Sequence, residues 1–270
     1  MNRVKTILVC CTLFLLALSA CTNNVEEGDA AVLKKDYTKA LKSFTAAAAT
    51  NNSHAQLMLG TMYAEGLGVT KDYKEAVKWF TLAADQDVGV AQHGLAVMYQ
   101  NGTGVTQDYA IAFRLEEKAA DKKIAAAQLG LGAMYEHGFG TSINYAEAVR
   151  LYTLADAQNY LPAHHNLAVM YENGYGVPKD LKTAFNFFKS AAQRGFATSQ
   201  NNLAIYYAEG EVVPKDMVKA YVWMSAAVEG GEAAAKDNLE VFAKELTPAQ
   251  LAEARSKVGT CISSGYHACE

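Results

Sequence analysis

A fixed period constrains this chain more than any other feature. Leu59, Leu95, Leu131, Leu167 and Leu203 stand 36 residues apart, and Tyr63, Tyr99, Tyr135, Tyr171 and Tyr207 hold a second register at the same spacing. No insertion breaks either series. A period of this size is the mark of a solenoid, in which each unit buries its apolar face only against its neighbours. The expected fold is therefore all-α, and one copy shows why. In Ala163 to Thr198, the residues Ala163, Leu167, Met170 and Tyr171 are spaced i, i+4, i+7, i+8 and share one helical face.

The periodicity predicts a first helix of about three turns that ends at a register of glycines, Gly66, Gly102, Gly138, Gly174 and Gly210. Glycine enters the left-handed conformation that closes a helix without steric cost. A short loop follows, GYGVPKD in this copy. Asp36, Asp72, Asp108, Asn144, Asp180 and Asp216 then stand where a side-chain oxygen can accept from the free N–H groups of a second helix. Glu75 and Glu147, three residues on, complete a capping-box pattern. Ala184, Phe187, Phe188 and Ala191 form the apolar stripe of that helix, with alanine where helices approach closely. Each unit is thus a helix-turn-helix hairpin.

The two ends differ from the middle. Arg3 and Lys5 precede an apolar run from Ile7 to Ala20. That run is shorter than the roughly 18 residues a spanning helix needs, so residues 1–20 read as a signal peptide. Leu18-Ser19-Ala20-Cys21 resembles a bacterial lipobox, which implies cleavage before Cys21 and acylation of its sulfur. An ordinary small-residue cleavage site is the alternative. Residues 21–33 read as a polar, flexible, lipidated tether, residues 34–246 as the repeat array, and residues 247–270 as a capping helix with a cysteine-containing tail. Thr247-Pro248 opens that helix, with threonine as cap and proline at the first position.

Loss of residues 1–20 would remove two positive charges and no negative ones, taking the net charge from −4 to −6. An acidic chain is a poor partner for nucleic acid or an anionic lipid surface. The expected membrane association is through the N-terminal lipid only, in the cell envelope, and the resemblance to bacterial lipoproteins implies, with Thr22 after the cysteine, an outer membrane destination facing the periplasm. Cys261 and Cys269 lie outside the repeats, and an even pair in an oxidising compartment favours a local disulfide over two free thiols. Zinc is disfavoured, because His267 is the only nearby additional ligand.

The pattern A-x-x-x-L-[GA]-x-x-Y-x-x-G-x-G-V-x-x-D-x-x-x-A-x-x-[WF]-[FY]-x-x-A-A resembles the Sel-one-like repeat, a relative of the tetratricopeptide repeat, and covers about Lys34 to Leu246. Departures occur at Val212, which replaces the second loop glycine, at Thr141-Ser142, and at Glu116, which takes an aromatic position. The resemblance implies a right-handed α/α superhelix whose first helices line a concave groove, and an adaptor that binds a protein or peptide. It places the third, seventh and tenth residues of each unit in that groove: Leu57, Thr61 and Ala64, then His93, Val97 and Gln100. The later units contribute Leu129, Ala133 and Glu136, His165, Val169 and Glu172, and Asn201, Ile205 and Ala208. The row Val97, Ala133, Val169 and Ile205 would form an apolar floor suited to an extended peptide or helix.

Gly66-Leu67-Gly68 has neither the third glycine nor the preceding strand of a dinucleotide fingerprint. S-x-x-K, G-x-S-x-G and H-E-x-x-H do not occur. Adjacent His164 and His165 point about 100 degrees apart on a helix and make a poor metal pair, so they and His93 read as surface or groove residues. The expectation is a monomeric scaffold without cofactor, metal or catalysis. A periplasmic hydrolase or β-lactam-binding protein acting on cell-wall amides is the alternative, by likeness to some secreted repeat proteins.

Overall fold

The computed structural model describes residues 24–269, so the expected signal segment and Cys21 lie outside the described residues. The described residues form a solenoid of fourteen helices, and no strand occurs among them. The helices are α1 (residues 24–33), α2 (Tyr37–Ala48), α3 (Ser53–Glu65), α4 (Tyr73–Asp85), α5 (Gly89–Asn101), α6 (Tyr109–Asp121) and α7 (Ala125–His137). They continue as α8 (Tyr145–Asp156), α9 (Leu161–Asn173), α10 (Leu181–Gln193), α11 (Ala197–Glu209), α12 (Met217–Glu229), α13 (Ala235–Glu245) and α14 (Pro248–Ser263). The chain forms two compact bodies. The first takes in the described residues up to Ala127 together with Phe139–Ser142, and the second takes in Gln128–Gly138 together with the described residues from Ile143 onward.

Within each body, packing follows chain order: α3 lies on α4 and α4 on α5 in the first, α9 on α10 and α10 on α11 in the second. The alanine registers explain how closely the helices approach. Ala40, Ala76, Ala112, Ala148, Ala184 and Ala220 are all fully buried, since any larger side chain there would hold neighbouring helices apart.

The predicted helix boundaries hold. Gly174 closes α9 in the left-handed region at φ 74, and its N–H donates to the Met170 carbonyl. Two residues later Gly176 serves a different need: a Cβ on it would lie 2.4 Å from the Tyr145 carbonyl oxygen. The loop therefore presses on the start of the preceding second helix, where the Tyr145 and Tyr175 rings stack at 4.6 Å. Asp180 caps α10 by accepting from the N–H groups of Lys182 and Thr183. Its own N–H donates to the Tyr171 carbonyl at 2.9 Å, which ties the loop across its mouth.

Three expectations need correction. Residues 24–33 of the supposed tether are helical, with Ala31 buried and Val25 and Val32 against Phe44. The connection to α2 is four residues shorter than later ones, so α1 runs one helical turn out of the 36-residue register. Gly28 meets Phe44 as Gly60 meets Phe80, each place where a Cβ would fall within 2.6 Å of the ring. Second, the carboxylates of Glu75 and Glu147 bond Lys78 and Arg150 one turn on instead of the cap backbone. The capping box forms instead at Thr247 and Gln250. Third, the cysteine tail is part of the core. Cys261 and Cys269 form a disulfide and are buried in one cluster with Trp223, because Tyr266 packs back over Gly195 between α10 and α11.

Candidate functional site

In the first body, the first helices α3 and α5 leave a cavity of about 320 Å³ between them, floored by Phe80 of α4. Its walls are Thr61 and Ala64 from α3 and Gly94, Val97 and Met98 from α5. Two glycines shape it. Gly60 lets the Phe80 ring lie against α3, where a Cβ would be 2.6 Å from the ring. Gly94 withholds a side chain above the same ring, and a Cβ there would sit at an ordinary 3.5 Å. The floor is therefore aromatic and the roof is empty. Glu65, Lys71, Asn101 and Thr103 supply polar groups at the rim, and the Lys71 ammonium lies 5.6 Å from the centre of the Tyr73 ring. Such a cavity offers apolar burial with polar groups placed to fix orientation.

The seventh positions predicted from sequence are partly accessible. Val97 is 36% exposed, and Thr61, Ala133, Val169 and Ile205 are half-buried. The cavity brings Thr61, Ala64 and Val97 together. Gln100 stands half-buried at the end of α5, and its carbonyl accepts from Gln107 Nε2 at 2.7 Å.

The third positions are also half-buried, apart from buried Asn201, and contact neighbouring helices. Leu57 packs against the cluster of Phe80 and Leu95, and Leu129 against that of Tyr152 and Leu167. Asn201 is buried and accepts from Asn238 Nδ2 at 3.3 Å. His165 lies 5.4 Å from the Phe188 ring and 5.3 Å from that of Phe196, and its Nδ1 is 2.9 Å from Ser199 Oγ. Burial holds it neutral, with a pKa lowered to about 4, the negative charge of Glu232 opposing only in part. His93 Nδ1 meets both carboxylate oxygens of Glu116 at 3.0 Å. Glu116 is buried in the slot that Phe80, Tyr152 and Phe188 fill elsewhere, and burial raises its pKa against the opposing pull of His93. These histidines, and His164 on Asp156 at 2.7 Å, are half-buried and held by hydrogen bonds.

Of the tenth positions, Glu136 accepts from the Tyr152 hydroxyl at 2.6 Å. Burial first, and then that carboxylate, push the Tyr152 phenol up. Burial and then neighbouring Glu172 do the same to Tyr206. Ala208 packs on the core of the second body.

The family model for the Sel1 repeat matches residues 53–88, 89–123, 125–160, 161–196 and 197–232, together more than half of the chain. The chain belongs to the Sel1 repeat family. Each of the five Sel1 segments holds one hairpin, from α3–α4 to α11–α12. Proteins built of Sel1 repeats are in general protein-interaction scaffolds. The chain is similar to the crystal structure of a Sel1 repeat protein from Oxalobacter formigenes, with 30% identity and a TM-score of 0.76 over 80% of this chain and 86% of that one. It is also similar to c5321, a protective antigen of uropathogenic Escherichia coli with this fold, at 28% identity and a TM-score of 0.70. That match covers 90% of this chain but 54% of the antigen, so the chain spans about half its length. No curated protein sequence matches the chain.

Sequence reasoning missed a buried polar ladder in the Sel1 register. The fourth residue of each first helix from α3 to α11 is Gln56, Gln92, Gln128, His164 or Gln200. Gln200 Nε2 donates to the Ala192 carbonyl, Gln92 Nε2 to Ala84 and Asp87, and Gln56 and Gln128 accept from Gln86 and Gln158. The signal was present as one more column of the repeat, polar where the pattern asks for burial. Neither the exposed rim nor the cavity itself was visible in that way.

Proposed function

We propose that this Sel1 repeat chain is a monomeric, lipid-anchored adaptor in the bacterial envelope, facing the periplasm, that holds an extended protein or peptide partner against its first helices. The observation that supports this reading is the cavity over Phe80, which accepts one large apolar side chain while Asn101, Thr103, Glu65 and Lys71 meet the partner's backbone at the rim. Apolar anchors in desolvated pockets carry most of the energy in such contacts. In the second body Val169 and Ile205 are half-buried and pack on the core, so that body does not repeat the cavity.

Val97→Glu places a charge in the cavity wall at a partly exposed position and spares the core registers. It should abolish recovery of cross-linked partners from intact cells, with far-UV dichroism and the thermal midpoint unchanged. Recovery of the same partners would overturn the reading. The anchor rests on Cys21: Cys21→Ser should move the chain from membranes to the soluble fraction, and a mature N-terminus without acyl groups would refute it. Turnover of a β-lactam reporter by the purified chain, lost on a single substitution, would establish the hydrolase instead.

A further inference from the structure

The cavity over Phe80 opens onto a stacking place that later repeats fill with a ring of their own. Tyr73, Tyr109 and Tyr145 each open a second helix, α4, α6 and α8. In each case the loop of the following unit presses its backbone on that tyrosine: a Cβ on Gly104, Gly140 or Gly176 would clash with the carbonyl oxygen of Tyr73, Tyr109 or Tyr145. The backbones meet alike, so the residue before the glycine decides what lies on the tyrosine ring.

Where that residue is aromatic, two rings stack. Phe139 lies on Tyr109 with centroids 4.7 Å and planes 11° apart, and Tyr175 on Tyr145 at 4.6 Å and 10°. Tyr109 and Tyr145 are half-buried. In the first unit Leu67 holds this register, and it packs with Tyr37 on the cluster of Phe44. Tyr73 alone of these tyrosines is given a threonine, Thr103, and its side is 41% exposed.

Tyr73 and Thr103 both line the cavity over Phe80, so the vacant stacking place opens into the space that Gly94 also leaves empty. Two aromatic side chains of α4 thus border one volume, Phe80 at its floor and Tyr73 at its rim. A stacked ring gains more than its buried area alone, which favours a flat side chain over an aliphatic one of the same size. The rim adds charge of both signs, since exposed Lys71 and Glu65 line it together, with the Lys71 ammonium 5.6 Å from the centre of the Tyr73 ring. That pair is complementary to an aromatic residue flanked by one acidic and one basic residue. Such a segment has no net charge for a chain at −4 to repel.

We propose that the cavity takes an aromatic side chain of the partner, its ring stacked on Tyr73 in the place that Phe139 and Tyr175 hold on Tyr109 and Tyr145, with the flanking charges meeting Lys71 and Glu65. This rests on the adaptor reading and names the residue the partner contributes. Calorimetric titration of the full chain in lipid nanodiscs tests it, with acetylated and amidated Gly-Lys-Phe-Asp-Gly, the same peptide with cyclohexylalanine for phenylalanine, and both with the charges exchanged. In the better charge order the phenylalanine peptide should bind about threefold more tightly or better than its saturated counterpart. Both affinities should fall as salt rises. Thr103→Phe restores the ring of the later repeats and should weaken the phenylalanine peptide by about tenfold or more with the thermal midpoint held or raised, whereas Thr103→Ser should bind as the parent does. Tyr73→Leu, which copies the residue at 181, should erase the preference for the aromatic peptide. Equal affinity for the phenylalanine and cyclohexylalanine peptides, binding of neither, unchanged affinity in Thr103→Phe or a preference that survives Tyr73→Leu would overturn the proposal. If the two peptides bind alike while Val97→Glu still ends partner capture in cells, the aromatic assignment fails and the adaptor reading stands. If the aromatic preference is found while capture survives Val97→Glu, the adaptor reading is the one that fails.

Discussion

The two bodies use the same register to opposite ends. In the first, Gly94, Val97 and Met98 on α5 leave the Phe80 ring under an open cavity. In the second, the equivalent residues on α11 are Asn202, Ile205 and Tyr206, and the Tyr206 ring lies 5.9 Å from Phe188 and 5.8 Å from Phe185. The backbone is the same; the volume of three side chains decides whether the interface between first helices is a receptor or core. A repeat fold thus separates what holds it together from what it offers to a partner.

The largest test of that difference removes the two floor rings. Phe188 is fully buried, so Phe188→Ala should cost about 3–5 kcal/mol, the usual penalty for deleting an enclosed aromatic side chain. Phe80 already borders empty space, and Phe80→Ala should cost clearly less in a parallel urea titration. Equal losses would mean that the first cavity is not open in solution.

Titration separates the bodies next. His165 has a folded pKa of about 4, below the ordinary 6.5, so protonation favours unfolding. Its contribution is complete above about pH 6.5 and is lost as pH falls toward 4, to a total of roughly 3 kcal/mol. Glu116 has the opposite sign: its folded pKa is raised, so its contribution is present at low pH and declines as pH rises through that value. Urea midpoints followed across pH should show His165→Gln flattening the acid side and Glu116→Gln flattening the side above the ordinary carboxylate range. A shared pH profile for the two variants would contradict the assignment.

The disulfide belongs to the second body alone. Closing the loop from Cys261 to Cys269 should contribute about 2–3 kcal/mol to that body. Reduction should therefore raise amide exchange around Trp223 and leave α3 to α5 protected. Smallest in stability but decisive for binding is a transplant: Gly94→Asn with Met98→Tyr should shift the unfolding free energy by no more than about 1 kcal/mol. It should close the cavity and remove partner capture.

Much of this architecture was legible in residue types. The tyrosine, glycine and aspartate registers mark where helices end, loops close and helices restart, because each role needs a particular backbone conformation or hydrogen bond. The helix α1 was not legible, since its shorter connection shifts the register by one turn and Glu26, Glu27 and Gly28 stand where later units show an apolar pattern. The contacts of the third positions were not legible, because a histidine or asparagine such as His165 or Asn201 gives no sign in isolation that Phe188, Phe196 or Asn238 will lie against it. The cavity was half legible: Thr61, Ala64 and Val97 were named, but their role depends on Gly94 being empty above Phe80, a relation between helices that no single column records.

The most direct test compares the equivalent sites themselves. A photo-crosslinking amino acid is placed at Val97 or at Ile205 in the full chain and irradiated in intact cells, and the adducts are identified by mass spectrometry. One dominant partner should be trapped from position 97, and little or none from position 205. Equal trapping from both positions, or trapping from position 205 alone, would contradict the claim that the open cavity over Phe80 is the working surface.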